Sequence, residues 1–226
     1  MKLLTKSMLS AAVFALTLMA CQSEKKTSSN EQEEAKSTES VTAQPVVVLN
    51  ANLATEEELK GIGMSDEMVA QVITNRPFIT MNAFDALVPA DTNKEEFYAK
   101  IFVPFNLNTT AEADFKMIPG VGDRMAHEFE EYRPYTSIAQ FRKEIGKYVD
   151  DNEVARYENY VFVPVELNTA SEEDIKALPG MSNKMAHEFE EYRPYDNMEK
   201  FYKEISKYVD EKELDRLARF VYIADQ

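Results

Sequence analysis

Cys21 is the only cysteine in the chain, and it follows directly on an apolar stretch, Ser7 to Ala20. A lone thiol can make no intramolecular disulfide, so the fold must stand on its core alone. His127 and His187 are the only histidines, and each has a glutamate four residues on, Glu131 and Glu191, hence on the same helix face. A metal site needs three or four ligands, and one histidine with one glutamate falls short of that. No His-Glu-x-x-His spacing, serine nucleophile elbow or phosphate-loop lysine occurs in the sequence, so no metal, no cofactor and no enzymatic chemistry is expected. The abundant carboxylates follow from an acidic composition and single out no catalytic pair.

Composition places these residues in small helical units. Of the 226 residues, 44% are hydrophobic and 29% charged, which is globular and allows more than one core. Nine prolines, six glycines and no tryptophan favour short helices over a large sheet. The formal charge of -15 repels phosphate backbones and anionic head groups at long range, so nucleic-acid binding would have to overcome it locally.

The N-terminus reads as a targeting segment. Lys2 and Lys6 supply the positive region, and the apolar stretch behind them is too short to span a bilayer. Its end, Leu18-Met19-Ala20-Cys21, resembles the lipobox of bacterial lipoproteins. That resemblance implies a signal peptide over 1–20, cleavage before Cys21, and lipidation of Cys21 as the link to a membrane. Several acyl chains, at about 0.8 kcal/mol per buried methylene, make a stable anchor. Gln22 stands where an aspartate often retains such proteins in the inner membrane, which favours the outer membrane of the cell envelope. Residues 21–45 then form the lipidated cysteine and a polar tether that cannot bury enough surface to order itself.

The remainder repeats itself. Met125 to Tyr135 recurs letter for letter as Met185 to Tyr195, and Lys143 to Asp150 returns as Lys203 to Asp210 with one change. An older copy lies upstream, with Asn52 to Leu59 matching Asn168 to Ile175 and Arg76-Pro77-Phe78 matching Arg193-Pro194-Tyr195. The expectation is an all-α fold of three tandem units, at 46–104 (divergent), 105–164 and 165–226, with seams at Val103-Pro104 and Val163-Pro164. In the third unit, Ser171 to Asp174 has capping-box spacing and leads a first helix with Ile175 and Leu178 inward. Pro179-Gly180 breaks it in a tight turn. Met185, Phe189 and Tyr192 mark a second helix, ended at Arg193-Pro194. Met198, Phe201 and Ile205 mark a third, and Asp210 to Glu213 caps a fourth.

Leu107 to Arg133 and Leu167 to Arg193, and more faintly Asn52 to Arg76, are similar to the helix-hairpin-helix domain of ComEA-type DNA receptors. In that family the glycine hairpin turns with positive φ and aims backbone amides at a phosphate. The resemblance implies candidate phosphate- or partner-binding positions at Gly63, Met64 and Ser65; at Lys116, Gly120, Val121, Gly122 and Arg124; and at Gly180, Met181, Ser182 and Lys184. Only the second unit keeps both glycines, and Ser65 and Ser182 have a plainer role as helix caps. The later turns, Ile145 to Asp150 and Ile205 to Asp210, lack a Gly-apolar-Gly and read as structural.

Basic residues near the hairpins are outnumbered by Glu128, Glu130 and Glu131 in one unit and by Glu188, Glu190 and Glu191 in the next. The preferred expectation is therefore a membrane-anchored, non-enzymatic binding or scaffold lipoprotein that meets an envelope protein partner. DNA, held chiefly by the second hairpin, is the alternative partner and is disfavoured by net charge. Tyr132-Arg133-Pro134-Tyr135 and its copy have two readings. One is a recognition loop, since exposed Tyr and Arg favour interfaces. The other, preferred because the segment is also the helix stop, packs Tyr132 and Tyr192 in the core with Arg133 and Arg193 paired to nearby acids.

Overall fold

The computed structural model describes residues 48–224. The predicted leader, Cys21 and the whole tether at 21–45 lie outside the described residues. The order of elements recurs three times. The first stretch runs β1 (Leu49–Asn50), α1 (Glu56–Gly61), α2 (Asp66–Asn75), α3 (Met81–Asp85), α4 (Lys94–Tyr98) and β2 (Ile101–Phe102). The second runs β3 (Phe105–Asn106), α5 (Glu112–Phe115), α6 (Asp123–Glu131), α7 (Ile138–Ile145), α8 (Asp151–Tyr157) and β4 (Val161–Phe162). The third runs β5 (Val165–Glu166), α9 (Glu172–Lys176), α10 (Asn183–Glu191), α11 (Met198–Ile205), α12 (Glu211–Ala218) and β6 (Val221–Tyr222). The chain is mostly helical, as its composition implies. The short strands go beyond that expectation: in each stretch the first and last strand pair in parallel, Leu49 opposite Ile101, Phe105 opposite Val161, and Val165 opposite Val221.

The helix boundaries follow local chemistry. Thr55 and Glu58 form a complete capping box at α1. Ser171 accepts from the Asp174 amide at 3.1 Å, while Asp174 turns its carboxylate to the serine hydroxyl instead of the main chain. Asp150 and Asp210 cap α8 and α12, so the turns before those helices are structural, as their sequence implies. Among the described residues no helix is long and apolar enough to cross a membrane.

Each stretch is closed by one asparagine and one arginine. The side-chain amide of Asn108 donates to the Tyr135 carbonyl at 2.8 Å and its oxygen accepts from the Tyr135 amide at 2.7 Å. Asn52 does the same with Phe78, and Asn168 with Tyr195. Arg133 donates from Nε to the Leu107 carbonyl and from Nη2 to that of Thr110. Arg76 spans the carbonyls of Ala51 and Ala54, and Arg193 those of Leu167 and Ala170. The expectation that Arg133 and Arg193 serve mainly as partners of acids is thus corrected. Glu130 and Glu190 are engaged at 3.2 and 3.3 Å, but the main-chain carbonyls hold the guanidinium because only its planar fork matches two of them at once. The proline after each arginine follows a cis bond. Tyr135 and Tyr195 are fully buried. Tyr132 and Tyr192 lie half-buried, their hydroxyls 2.6 and 2.8 Å from those of Tyr148 and Tyr208.

The first two stretches share one continuous core, and the third has its own, which Phe162 of β4 enters. Edge-to-face rings carry the shared core across the seam: Phe102 to Phe105 at 5.1 Å, Phe105 to Phe115 at 5.7 Å, and Phe115 to Phe129 at 5.3 Å. Such contacts are worth about 0.5–1.5 kcal/mol each beyond the area they bury.

Asn168→Ala should therefore lower stability by about 2 kcal/mol or more, because it strands a main-chain donor and acceptor at once. Asn183→Ala, at the exposed start of α10, should change it by less than about 0.5 kcal/mol. Urea denaturation of the two variants measures the difference.

Candidate functional site

The three hairpins sit between α1 and α2, α5 and α6, and α9 and α10. Gly63, Gly120 and Gly180 turn each with φ of 94°, 77° and 71°, the left-handed region that glycine enters without a Cβ penalty. Gly122 differs. Its φ of -94° and ψ of -179° are ordinary extended backbone, so no left-handed turn explains the second glycine. Ser65 and Ser182, at the matching positions, accept from the amides of Met68 and Met185 at 3.2 and 3.1 Å. Their capping role holds, and α6 alone of these three helices begins without a side-chain cap. Met64 and Val121 are buried in the core and Met181 packs partly against it. Met64 and Val121 could offer a ligand only their main chain.

The basic residues expected beside the hairpins are already engaged. Lys116 pairs with Asp123 at 3.0 Å. Lys60 lies 2.8 Å from Glu56 and 3.1 Å from Asp66, and those two acids hold its ammonium pKa well above the ordinary value. Lys176 pairs with Glu172 at 2.5 Å. Arg124 lies over the Tyr148 ring at 5.7 Å, and Lys184 over the Tyr208 ring at 5.6 Å. These side chains are largely exposed, so each contact is weak by itself. Lys60, Lys116 and Lys176 thus have acids beside them, whereas Arg124 and Lys184 meet only rings and keep their charge.

Sequence reasoning missed what covers two of the hairpins. The Gly120 amide donates to the Glu95 carboxylate of α4 at 2.8 Å, so an anion from the first stretch sits on the second hairpin. At Gly180 a Cβ would collide with the Leu53 side chain, and Leu53 also belongs to the first stretch. Arg216 donates to the Pro179 carbonyl at 2.7 Å while its other nitrogens hold Glu213. At Gly63, among the described residues, no atom lies within 4 Å of the space a Cβ would fill. None of these long-range contacts has a local signal in the sequence.

Beside Glu95, Asp85 of α3 accepts from Lys94 at 2.5 Å and from the Tyr98 hydroxyl. Burial pushes the Asp85 carboxyl up, but those two hydrogen bonds and the Lys94 charge outweigh it and leave the pKa below the ordinary value. His127 and His187 are exposed. Glu112 and Glu131 lie 3.5 and 3.9 Å from His127, and Glu191 lies 3.6 Å from His187.

Residues 161–222 match the helix-hairpin-helix motif family. The matched segment begins at β4, runs through the third hairpin and ends at β6. No curated protein and no solved structure matches the chain.

Two predictions follow from this geometry. Gly180→Ala should cost more stability than Gly63→Ala, by about 1 kcal/mol, and the excess should vanish in a Leu53→Ala background; a double-mutant cycle by thermal denaturation measures it. Because the Asp85 pKa is lower folded than unfolded, its stabilisation is present above the ordinary carboxylate range. It is lost as the pH falls through the folded value. The stability gap between the native protein and Asp85→Asn should accordingly shrink as the pH is lowered from neutral, read by chemical denaturation at each pH.

Proposed function

We propose that this protein is a non-enzymatic binding or scaffold lipoprotein, held to the outer membrane by lipid on Cys21, that presents three helix-hairpin-helix modules to a protein partner in the cell envelope. The apolar stretch ending at Cys21 and the polar run behind it support the anchor and tether. The motif match at residues 161–222 and the recurrence of the same elements twice before it support the three modules. One observation carries the choice of a protein over DNA. The hairpin that keeps both glycines has its Gly120 amide bound to the Glu95 carboxylate, an anion where a phosphate would have to sit. The charge of -15 adds a long-range penalty, and the paired lysines offer little local relief.

DNA binding is the second reading, favoured by the motif itself and by the uncapped start of α6 at Gly122. Fluorescence anisotropy with a labelled duplex at low salt separates the two. Little binding is expected at micromolar protein, and Glu95→Ala should raise it only modestly, since the neighbouring acids remain. Saturable micromolar binding, lost as salt rises and weakened by Arg124→Glu, would replace the protein-partner reading with the DNA one. Cys21→Ser should abolish both leader cleavage and lipid labelling in cells; unchanged labelling would remove the anchor.

A further inference from the structure

The most unusual charge in the described residues is Arg219, just past the end of α12. It donates from Nη2 to the Pro104 carbonyl at 2.9 Å and from Nη1 to the Phe78 carbonyl at 3.3 Å, and it stacks on the rings of Phe162 and Phe220 at 5.2 and 5.4 Å. A guanidinium has five N–H donors, and carbonyl acceptors leave its charge uncompensated. Among the described residues no carboxylate lies within ion-pair distance of Arg219, although acids outnumber Lys and Arg by 40 to 25 in the chain. The repeat does not explain it. The second stretch has Asn159 at the matching position, where the amide closes the end of α8 on the carbonyls of Ala155 and Arg156.

Arg219 lines a cavity of about 460 Å³ between the second and third stretches, with Asn106, Thr109, Pro134, Thr136 and Tyr222 among its walls and no acidic residue on them. The volume falls in the range of about 300–1,000 Å³ that holds small ligands. The Asn106 oxygen is used by the Asn108 amide at 2.9 Å, which leaves the Asn106 side-chain N–H groups to serve as donors. Pro134, Val221 and the exposed ring of Tyr222 supply an apolar face. A lining that combines donors and one uncompensated cation with apolar surface, and that carries no acid, makes a site selective for charge and shape.

We propose that this cavity is a binding site for a small organic carboxylate, whose anion meets Arg219 and whose apolar body lies against Pro134 and Tyr222. The site stands apart from the hairpins and does not depend on the lipoprotein reading. In an otherwise acidic molecule, long-range charge opposes such ligands, so selectivity must come from contact at Arg219.

Titrating the full chain with benzoate and with its neutral counterpart benzamide, followed by backbone amide chemical shifts, tests the proposal. Benzoate should bind saturably, with the largest shifts at Asn106, Thr109, Thr136 and Tyr222. Benzamide should bind about tenfold more weakly or worse, the factor expected for loss of one charge-assisted hydrogen-bond pair. Arg219→Gln should erase the preference for the anion. Because Arg219 also joins the stretches, Tyr222→Glu is the second variant: it adds a negative charge at an exposed rim position and should weaken benzoate about threefold or more while leaving the fold intact by circular dichroism. Equal affinity for the two probes, shifts centred elsewhere, no saturation by benzoate, or unchanged binding in a folded Tyr222→Glu variant would each overturn it.

Discussion

Everything in this molecule hangs on a pair of side chains that close each stretch upon itself. An asparagine just after the first strand reaches the main chain of the aromatic residue that follows the proline, and the arginine before that proline reaches back to two carbonyls ahead of the first helix. Helices of four to ten residues, as these are, are too short to be stable alone. Their order comes from being held as a set. The clamp uses neutral amide pairing and a guanidinium on carbonyls. Burial pushes the guanidinium pKa of Arg76 and Arg133 down, yet arginine keeps its charge at neutral pH.

That clamp also decides what the acidic surface can do. With the clamp arginines turned to the main chain, many of the cations left at the surface are lysines, and Lys60, Lys116, Lys147, Lys176 and Lys207 meet acids one helical turn or one hairpin away. The charge pattern therefore closes locally, and the excess of carboxylates faces solvent. A surface of this kind repels phosphate at a distance and offers it few partners on contact. Association with a protein carries no such penalty, because directional polar contacts and small apolar patches suffice there.

Much of the fold was legible in the sequence, for reasons that can be named. Composition announces a helical chain, and Ser171, Asp150 and Asp210 announce helix starts through contacts within three residues. The short strands were not legible, since two residues cannot display an alternating pattern. The asparagine and arginine clamps were visible as repeated letters, but their partners lie 22 to 27 residues away, beyond any local rule. Arg219 and Leu53 were invisible for a different cause: each acts where one copy departs from the others, so repetition itself hid them.

Those departures give the first stretch its meaning. It is the most divergent copy, and it supplies both side chains that cover the other hairpins, Glu95 at Gly120 and Leu53 at Gly180. Its Phe78 carbonyl, with that of Pro104 at the seam, receives Arg219 from the far end of the chain. The first copy thus covers two of the three hairpins, while among the described residues no atom lies within 4 Å of the space a Cβ on Gly63 would fill. A partner that reads hairpins would meet that one first. Here Lys60 is already shared between Glu56 and Asp66, so that turn offers shape and acidity outward rather than a free ammonium.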